Sequence, residues 1–386
     1  MEYFWKKKGW EKEDPHLEKI KKMPFQRQFP FIPSEKGLYI IRGPRQIGKS
    51  SWLKTILAHY SHLNEKCFYL SCENISDNKD LAEILKSIRD CKIVLLDEIS
   101  FVQNWDRAIK HEIDRGKHHI LVLTGSHAYD LKKGSDQMPG RFEAGGEFFL
   151  MPMLFEEFYE ARLQAGWCGD NIVDEIELFF KVGGFPDAVA EAGVKGILPL
   201  KSIETYWRWL KGDIVKLGKQ ESYLEEILIQ IALCVQNPIG YQTLAKKTSI
   251  SSHHTVKEYL SILESCFATR QLLAIDMNTG TYRFKKDKKI YFTDPLLYQM
   301  AYWLAGRKVP DNLNEKMAEM VANEFLSRTN RRFGYFSNKK GEIDFILPGQ
   351  WAREVKWSSD ATNLSKAYIE LICPDKKVWL KTNFLT

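Results

Sequence analysis

Four runs of consecutive apolar residues recur early in the chain: Leu38-Tyr39-Ile40-Ile41, Cys67-Phe68-Tyr69-Leu70, Ile93-Val94-Leu95-Leu96 and Ile120-Leu121-Val122-Leu123. Such runs, bounded by polar residues, have the length of buried strands. Helix-length segments separate them. The first, Ser51 to Tyr60, places Trp52, Ile56 and His59 or Tyr60 on one side. Strands alternating with helices over residues 37–150 predict an α/β fold built on a parallel sheet.

The pattern changes after residue 150. Residues 151–219 read as helices interrupted at Gly183-Gly184-Phe185-Pro186, with Tyr206, Trp207, Trp209 and Lys211 on a packed helix face. Residues 220–300 read as a winged helix. Leu224 to Val235 and Tyr241 to Lys246 are its first two helices. A third opens at Ser251-Ser252 with a serine cap and turns Val256, Leu260 and Leu263 inward. Leu272 to Ile275 and Thr281 to Phe284 are expected as the wing strands. Residues 301–386 read as a helix from Asn314 to Arg328, then strands at Arg332 to Phe336, Gly341 to Leu347 and Trp351 to Trp357. Residues 1–36 form an N-terminal extension in which aromatic residues alternate with lysines. Its mixture suits either nucleic-acid contact or an amphipathic helix packed on the next domain, and the second reading is the simpler.

Candidate chemistry concentrates first at the turn after Ile41. Gly43-Pro44-Arg45-Gln46-Ile47-Gly48-Lys49-Ser50 fits G-x-x-x-x-G-K-[ST] at each fixed position and lies between a strand and a helix, followed by Ser51. Glycines let backbone N–H groups wrap an anion, and the helix N-terminus points at it. Lys49 is expected on the β- and γ-phosphates of ATP and Ser50 on Mg²⁺. The third strand ends in Asp97-Glu98, with Asp97 expected in the Mg²⁺ shell and Glu98 polarising the attacking water. The fourth ends in Thr124-Gly125-Ser126, where a small hydroxyl lies beside those acids, and Ser126 is the candidate. Arg141, in the loop after it, is either an arginine finger or a solvated surface residue.

These segments, with Phe155-Glu156-Glu157-Phe158 and Gly183-Gly184-Phe185-Pro186 in the same order, resemble a widespread group of bacterial and archaeal AAA-type ATPases that carry a C-terminal domain of unknown function. The resemblance implies an additional-strand P-loop core and a helical lid over the nucleotide. It leaves a homo-oligomer open.

Two further clusters bear on partners. His253, His254 and Lys257 on the third helix of residues 220–300 suit a major groove, and Lys285, Lys286, Lys288 and Lys289 suit phosphates at the exit of the wing. A protein partner is the alternative for the same module. Asp344 followed by Glu354-Val355-Lys356 resembles the core of the restriction-endonuclease-like nucleases, with Glu319 as a candidate third acid. Alternation puts Glu354 and Lys356 on one strand face, where a second Mg²⁺ or a Mn²⁺ would sit between carboxylates. A degenerate fold kept for binding is the alternative.

Composition narrows the class without changing it. The 386 residues are 44% hydrophobic and 27% charged, with a net charge of +6, a mild excess that permits nucleic acid without requiring it. Seven cysteines form no C-x-x-C pair, which points to a reducing compartment. The first residues lack the apolar core of a signal peptide, and no stretch suits a bilayer. The expectation is a cytoplasmic ATPase acting on or regulated by DNA, cutting or not cutting through its last domain. Its rival is a nucleotide-operated switch whose C-terminal modules only bind.

Overall fold

Strand β1 (Gly37–Arg42) is buried at every position and lies inside a sheet. With β2 (Cys67–Ser71), β3 (Ile93–Asp97), β4 (Ile120–Thr124) and β5 (Gly146–Phe149) it makes five strands in the order β2-β3-β4-β1-β5. Every pairing in it is parallel. The strand β4 inserted between β1 and β3 is the additional strand that the resemblance implies. Ile40 pairs with Leu123, and Leu123 with Leu96, so these strands end level along one edge. The phosphate loop and both acids follow from that register.

The computed structural model describes residues 4–7, 9–115, 120–125, 131, 134, 136, 138, 140–329, 332–339, 341–357 and 375–379, the side chains of the last group excepted. It divides into two compact units, Met1–Pro152 and Met153–Thr386.

In the first unit the N-terminal extension packs on the sheet domain. Helix α1 (Pro15–Lys22) is capped by the Asp14 carboxylate, which accepts from the N–H groups of His16 and Leu17 at 3.0 and 3.1 Å. Trp5, Trp10 and Leu17 are buried, and the Trp5 indole donates to the Cys67 carbonyl at 3.2 Å. α2 (Lys49–His62), α3 (Asn78–Ser87) and α4 (Trp105–Asp114) are the remaining helices of regular length among the described residues of this unit. α2 buries Trp52, Ile56 and Tyr60, the face its periodicity predicts.

The second unit begins with α5 (Phe155–Gln164), α6 (Ile172–Val182), α7 (Pro186–Ala192) and α8 (Leu200–Lys216). The turn between α6 and α7 requires its glycines. Gly183 has φ +80°, and a Cβ on Gly184 would lie 1.9 Å from the Met153 carbonyl oxygen. Phe185 is fully buried against Tyr206 and Trp209, with ring centroids 4.3 and 6.1 Å away. The aromatic face of α8 is therefore core packing.

Next come α9 (Glu221–Cys234), α10 (Tyr241–Lys246) and α11 (His253–Ser265), then an antiparallel pair, β6 (Thr269–Leu272) and β7 (Lys289–Phe292). This pair shifts the regular strands of the expected wing outward along the same hairpin. Residues 274–276 and 281–283 do pair antiparallel, through the Ile275–Tyr282 bridge and the bonds from Arg283 N–H to the Ala274 carbonyl (2.8 Å) and from Asp276 N–H to the Thr281 carbonyl (2.9 Å), but the regular ladder lies further along, between β6 and β7. The ladder prefers Lys289-Ile290-Tyr291-Phe292 because all four side chains are buried there, whereas Thr281, Arg283 and Phe284 are exposed. Helix α12 (Pro295–Leu304) packs on α6, α8 and α9, which joins the first helices of the unit to the segment that follows them. α13 (Leu313–Thr329) then leads to β8 (Gly334–Asn338), β9 (Gly341–Leu347), β10 (Trp351–Val355) and β11 (Asp375–Trp379), a sheet in the order β11-β10-β9-β8.

Candidate functional site

The turn from β1 into α2 is shaped for an anion. A Cβ on Gly43 would meet the Leu150 carbonyl oxygen at 2.0 Å, so only glycine lets the loop leave the sheet here. Gln46 and Gly48 have φ of 60° and 98°. Gly48 caps α2 and offers no side chain to its first N–H groups. The Lys49 ammonium is buried and donates to the carbonyls of Gly43 (3.0 Å) and Pro44 (2.7 Å), which fixes it over the loop. Ser50 is the second residue of α2, and Ser51 is buried behind it.

The acids stand at the same edge. Asp97 ends β3 and is buried, and its oxygens accept from the Thr124 hydroxyl and from the Tyr69 phenol, the latter at 3.0 Å. Burial, then the Asp97 charge, push the Tyr69 hydroxyl far above its usual pKa, so it remains a donor. The Glu98 N–H lies 3.3 Å from the Thr124 hydroxyl oxygen. Glu98 itself has φ 55°, a conformation that costs a non-glycine residue energy and is found mostly at functional sites. The hydroxyl brought to the acids is thus that of Thr124, the last residue of β4. Ser126 lies outside the described residues.

A second layer reaches back to the extension. The Lys54 ammonium, buried on α2, pairs with Asp14 at 3.0 Å and lies 3.8 Å from the centroid of the Tyr69 ring. Burial lowers its pKa against the opposing pull of Asp14 and Asp97. Sequence reasoning missed Tyr69, Lys54 and Asp14. The available signal was a lysine on the buried side of α2.

Arg141 stands elsewhere. It grips Asp114, the last residue of α4, at 3.0 and 3.3 Å, beside Glu143, which bridges Gly37 at the start of β1. The phosphate loop follows the other end of β1, roughly 17 Å away at about 3.3 Å per residue.

The second unit holds two further groups. His254, Lys257, Lys285 and Lys286 are exposed and His253 is half-exposed, its ring 4.1 Å from that of His254. Lys288 and Lys289 correct the expected phosphate contacts. Lys288 is buried, donating to the carbonyls of Phe284 (2.7 Å) and Lys286 (2.8 Å). Lys289 is fully buried; its ammonium lies 2.8 Å from Glu319 Oε1, 3.0 Å from Asp344 Oδ1 and 2.5 Å from Glu342 Oε1. Lys288, just before β7, is folded back onto its own loop, and Lys289, the first residue of β7, is turned into the carboxylate cluster, so neither ammonium is presented at the surface.

The expected nuclease carboxylates do come together. Asp344 on β9 accepts the N–H of Val355 on β10 at 3.0 Å, which sets Glu354 beside it. Lys356 pairs with Glu354 at 2.9 Å. Glu319 accepts the Tyr291 hydroxyl at 2.5 Å. Burial, then the neighbouring Asp344, push the Glu319 carboxyl up to about 7, despite Lys289. The ammonium is also pushed up: burial alone would lower it, and Glu319, Asp344 and Glu342 outweigh burial. The two directions agree physically, since several carboxylates share one cation and one of them keeps its proton. Lys289, Glu342 and Tyr291 were not legible as members of this cluster.

Oxygen donors at Ser50 and Asp97 beside an anion-shaped loop fit Mg²⁺ with a bound nucleotide. The C-terminal carboxylates do not fit a second ion, because the Lys289 ammonium already lies among them. Among the described residues no three His, Cys, Asp or Glu side chains are arranged to hold a metal.

Comparison with known proteins agrees with the first unit. Residues 35–159 match the AAA domain family, and residues 173–308 match a domain of unknown function. An uncharacterized protein of Haemophilus influenzae is 26% identical over 338 residues, 80% of this chain and 78% of the relative. One from Methanocaldococcus jannaschii is 23% identical over 345 residues, 83% and 73% of the two chains. Among solved structures, the Walker-type ATPase PABY2304 of Pyrococcus abyssi is similar at TM-score 0.46 and 14% identity, covering 75% of this chain and 95% of that one. The Aeropyrum pernix ORC2 protein gives 0.39 and 14%, covering 70% and 88%. The family match over residues 35–159 and the strand order of the first unit agree on an AAA-type P-loop fold there. No helix among the described residues is long and apolar enough to cross a membrane.

Proposed function

We propose that this chain binds and hydrolyses ATP with Mg²⁺ and couples that cycle to nucleic-acid binding by its second unit. The observation that carries the first half is the meeting, at one sheet edge, of the Lys49 ammonium over the loop with Asp97, Thr124 and Glu98. Ser50 and Asp97 would hold the Mg²⁺, which screens phosphate charge when bound. Lys49 neutralises the β- and γ-phosphates. Glu98, fixed in its turn by Thr124, orients the attacking water. Arg141 enters this reading only through a second copy, since it stands at the far edge of its own sheet.

Support for nucleic acid is chemical. Lys257, Lys285, Lys286 and His254 are exposed cations or potential cations on one helix and the adjoining loop. Burial lowers the Lys288 pKa against the opposing pull of Asp287, with a smaller lowering from Lys257, and Lys288 holds the loop carbonyls. Phe284, next to Lys285 in sequence, stands 70% exposed, an aromatic face for a base. Lys289 favours a binding role over a cutting one for the C-terminal carboxylates.

Hydrolysis measured with and without DNA tests both halves. Lys49→Ala is expected to abolish tight nucleotide binding. Glu98→Gln is expected to keep binding and lose about a hundredfold or more in turnover. Undiminished turnover in Glu98→Gln removes that residue from the role of water activator, and turnover indifferent to DNA removes the coupling.

A further inference from the structure

The C-terminal cluster has the acids of a metal-dependent nuclease and a cation that is not a metal. The ammonium of Lys289 meets Glu319 from α13 and Glu342 and Asp344 from β9 at 2.8, 2.5 and 3.0 Å. The ammonium donates hydrogen bonds to Glu319 and Asp344 and pairs by charge with Glu342. The side chain is wholly enclosed, and its backbone is locked in β7 opposite Leu272. Two further contacts engage the same carboxylates. Asp344 Oδ2 accepts from the Val355 N–H, and Glu319 Oε1 from the Tyr291 hydroxyl. Mg²⁺ needs oxygens at about 2.0–2.1 Å and keeps several waters, and so requires the volume that the ammonium fills.

We propose that Lys289 is the permanent cation of this cluster, standing where a carboxylate nuclease centre takes its divalent ion, so that the C-terminal fold binds its partner without cutting it. The inference is independent of the nucleotide site. It predicts a latent metal site: with the ammonium removed, Glu319, Asp344, Glu342 and Glu354 are expected to close in from their present arrangement around a divalent ion. Glu354 is already under-satisfied, with one oxygen buried and unpartnered while the other pairs with Lys356.

The test is Mn²⁺ binding by the nucleotide-free full chain, followed by the loss of the free-ion paramagnetic signal. A Lys49→Ala background keeps nucleotide-bound metal out of the measurement. The parent chain is expected to bind no Mn²⁺ at this cluster. Adding Lys289→Ala is expected to create a site for about one equivalent, at least about tenfold tighter than any residual binding, and to make the thermal midpoint rise with Mn²⁺. Mn²⁺ bound by the parent and lost in Glu319→Gln or Asp344→Asn would overturn the proposal. So would a cooperatively folding Lys289→Ala chain that takes up none. Should the alanine chain fold only when Mn²⁺ is supplied, that rescue supports the proposal. Should it not fold at all, the parent measurement still decides.

Discussion

Asp97 is aimed by two hydroxyls, one from each neighbouring strand, and this makes Tyr69 testable as a positioning residue. The phenol lies 3.0 Å from Oδ2, in a place too buried for water to replace it. A hydrogen bond to a charged group contributes roughly 1.5–3 kcal/mol. Tyr69→Phe keeps the ring under Lys54 and removes only that bond. Turnover is expected to fall about tenfold, the Mg²⁺ concentration for half-maximal rate to rise, and nucleotide affinity to stay within about threefold. An unchanged Mg²⁺ requirement would reduce Tyr69 to packing. The contrast with Lys49 and Asp97 shows what a sequence can disclose at this scale. Those two sit at fixed offsets in a loop and at a strand end, so local spacing reveals them. Tyr69 and Lys289 act through residues 28 and 30 or more positions away, and only the sheet register brings the partners together.

The glycine turn between α6 and α7 is tied to another element by one carboxylate. Asp294 caps α12 through the Leu296 N–H at 2.9 Å and accepts the Gly184 N–H at 2.8 Å. Burial pushes its carboxyl up to about 7 from 3.8, although both N–H groups pull it down. Arg328 lowers it further and Glu324 raises it. Between those two values the folded chain keeps a proton that the unfolded chain has released. Its contribution to stability is therefore full below pH 3.8 and is lost as pH rises through about 7. The thermal midpoint of the full chain is expected to decline from pH 5 to 8. Asp294→Asn is expected to flatten that decline while lowering the midpoint, because an amide offers one acceptor where two N–H groups need them. Glu319 titrates in the same sense but is common to both chains, so the difference between the slopes belongs to Asp294. Coincident slopes would mean that the carboxyl is ionised throughout. The element itself was legible as a turn from Gly183-Gly184-Phe185-Pro186. The hairpin of the wing was legible but the extent of its regular strands was not, because Thr281 to Phe284 and Lys289 to Phe292 both mix charge with aromatics, and only burial separates them.

Across the whole chain the charge is +6, too small to dictate nucleic-acid binding by itself. What matters is where the lysines stand. Replacing the whole run from Lys285 to Lys289 would confound two effects, because Lys288 ties down the loop and Lys289 neutralises the carboxylates. The informative variant replaces Lys257, Lys285 and Lys286 with serine, since these are exposed. If each touches one phosphate of duplex DNA, each contributes about 0.9 to the slope of log K against log salt. The triple variant is then expected to bind more weakly at low salt and to lose about 3 from that slope. Thermal unfolding is expected to be nearly unchanged, because exposed substitutions away from caps and networks cost about 0.5 kcal/mol or less each. A single-strand ligand would give a smaller loss, about 0.7 per contact, and Phe284→Ala would then weaken binding with no change of slope, since stacking releases no counterions. Should the triple variant bind DNA with an unaltered slope, the exposed lysines are not the contact surface. The second unit would then serve a protein partner, and the ATPase cycle would act on that partner.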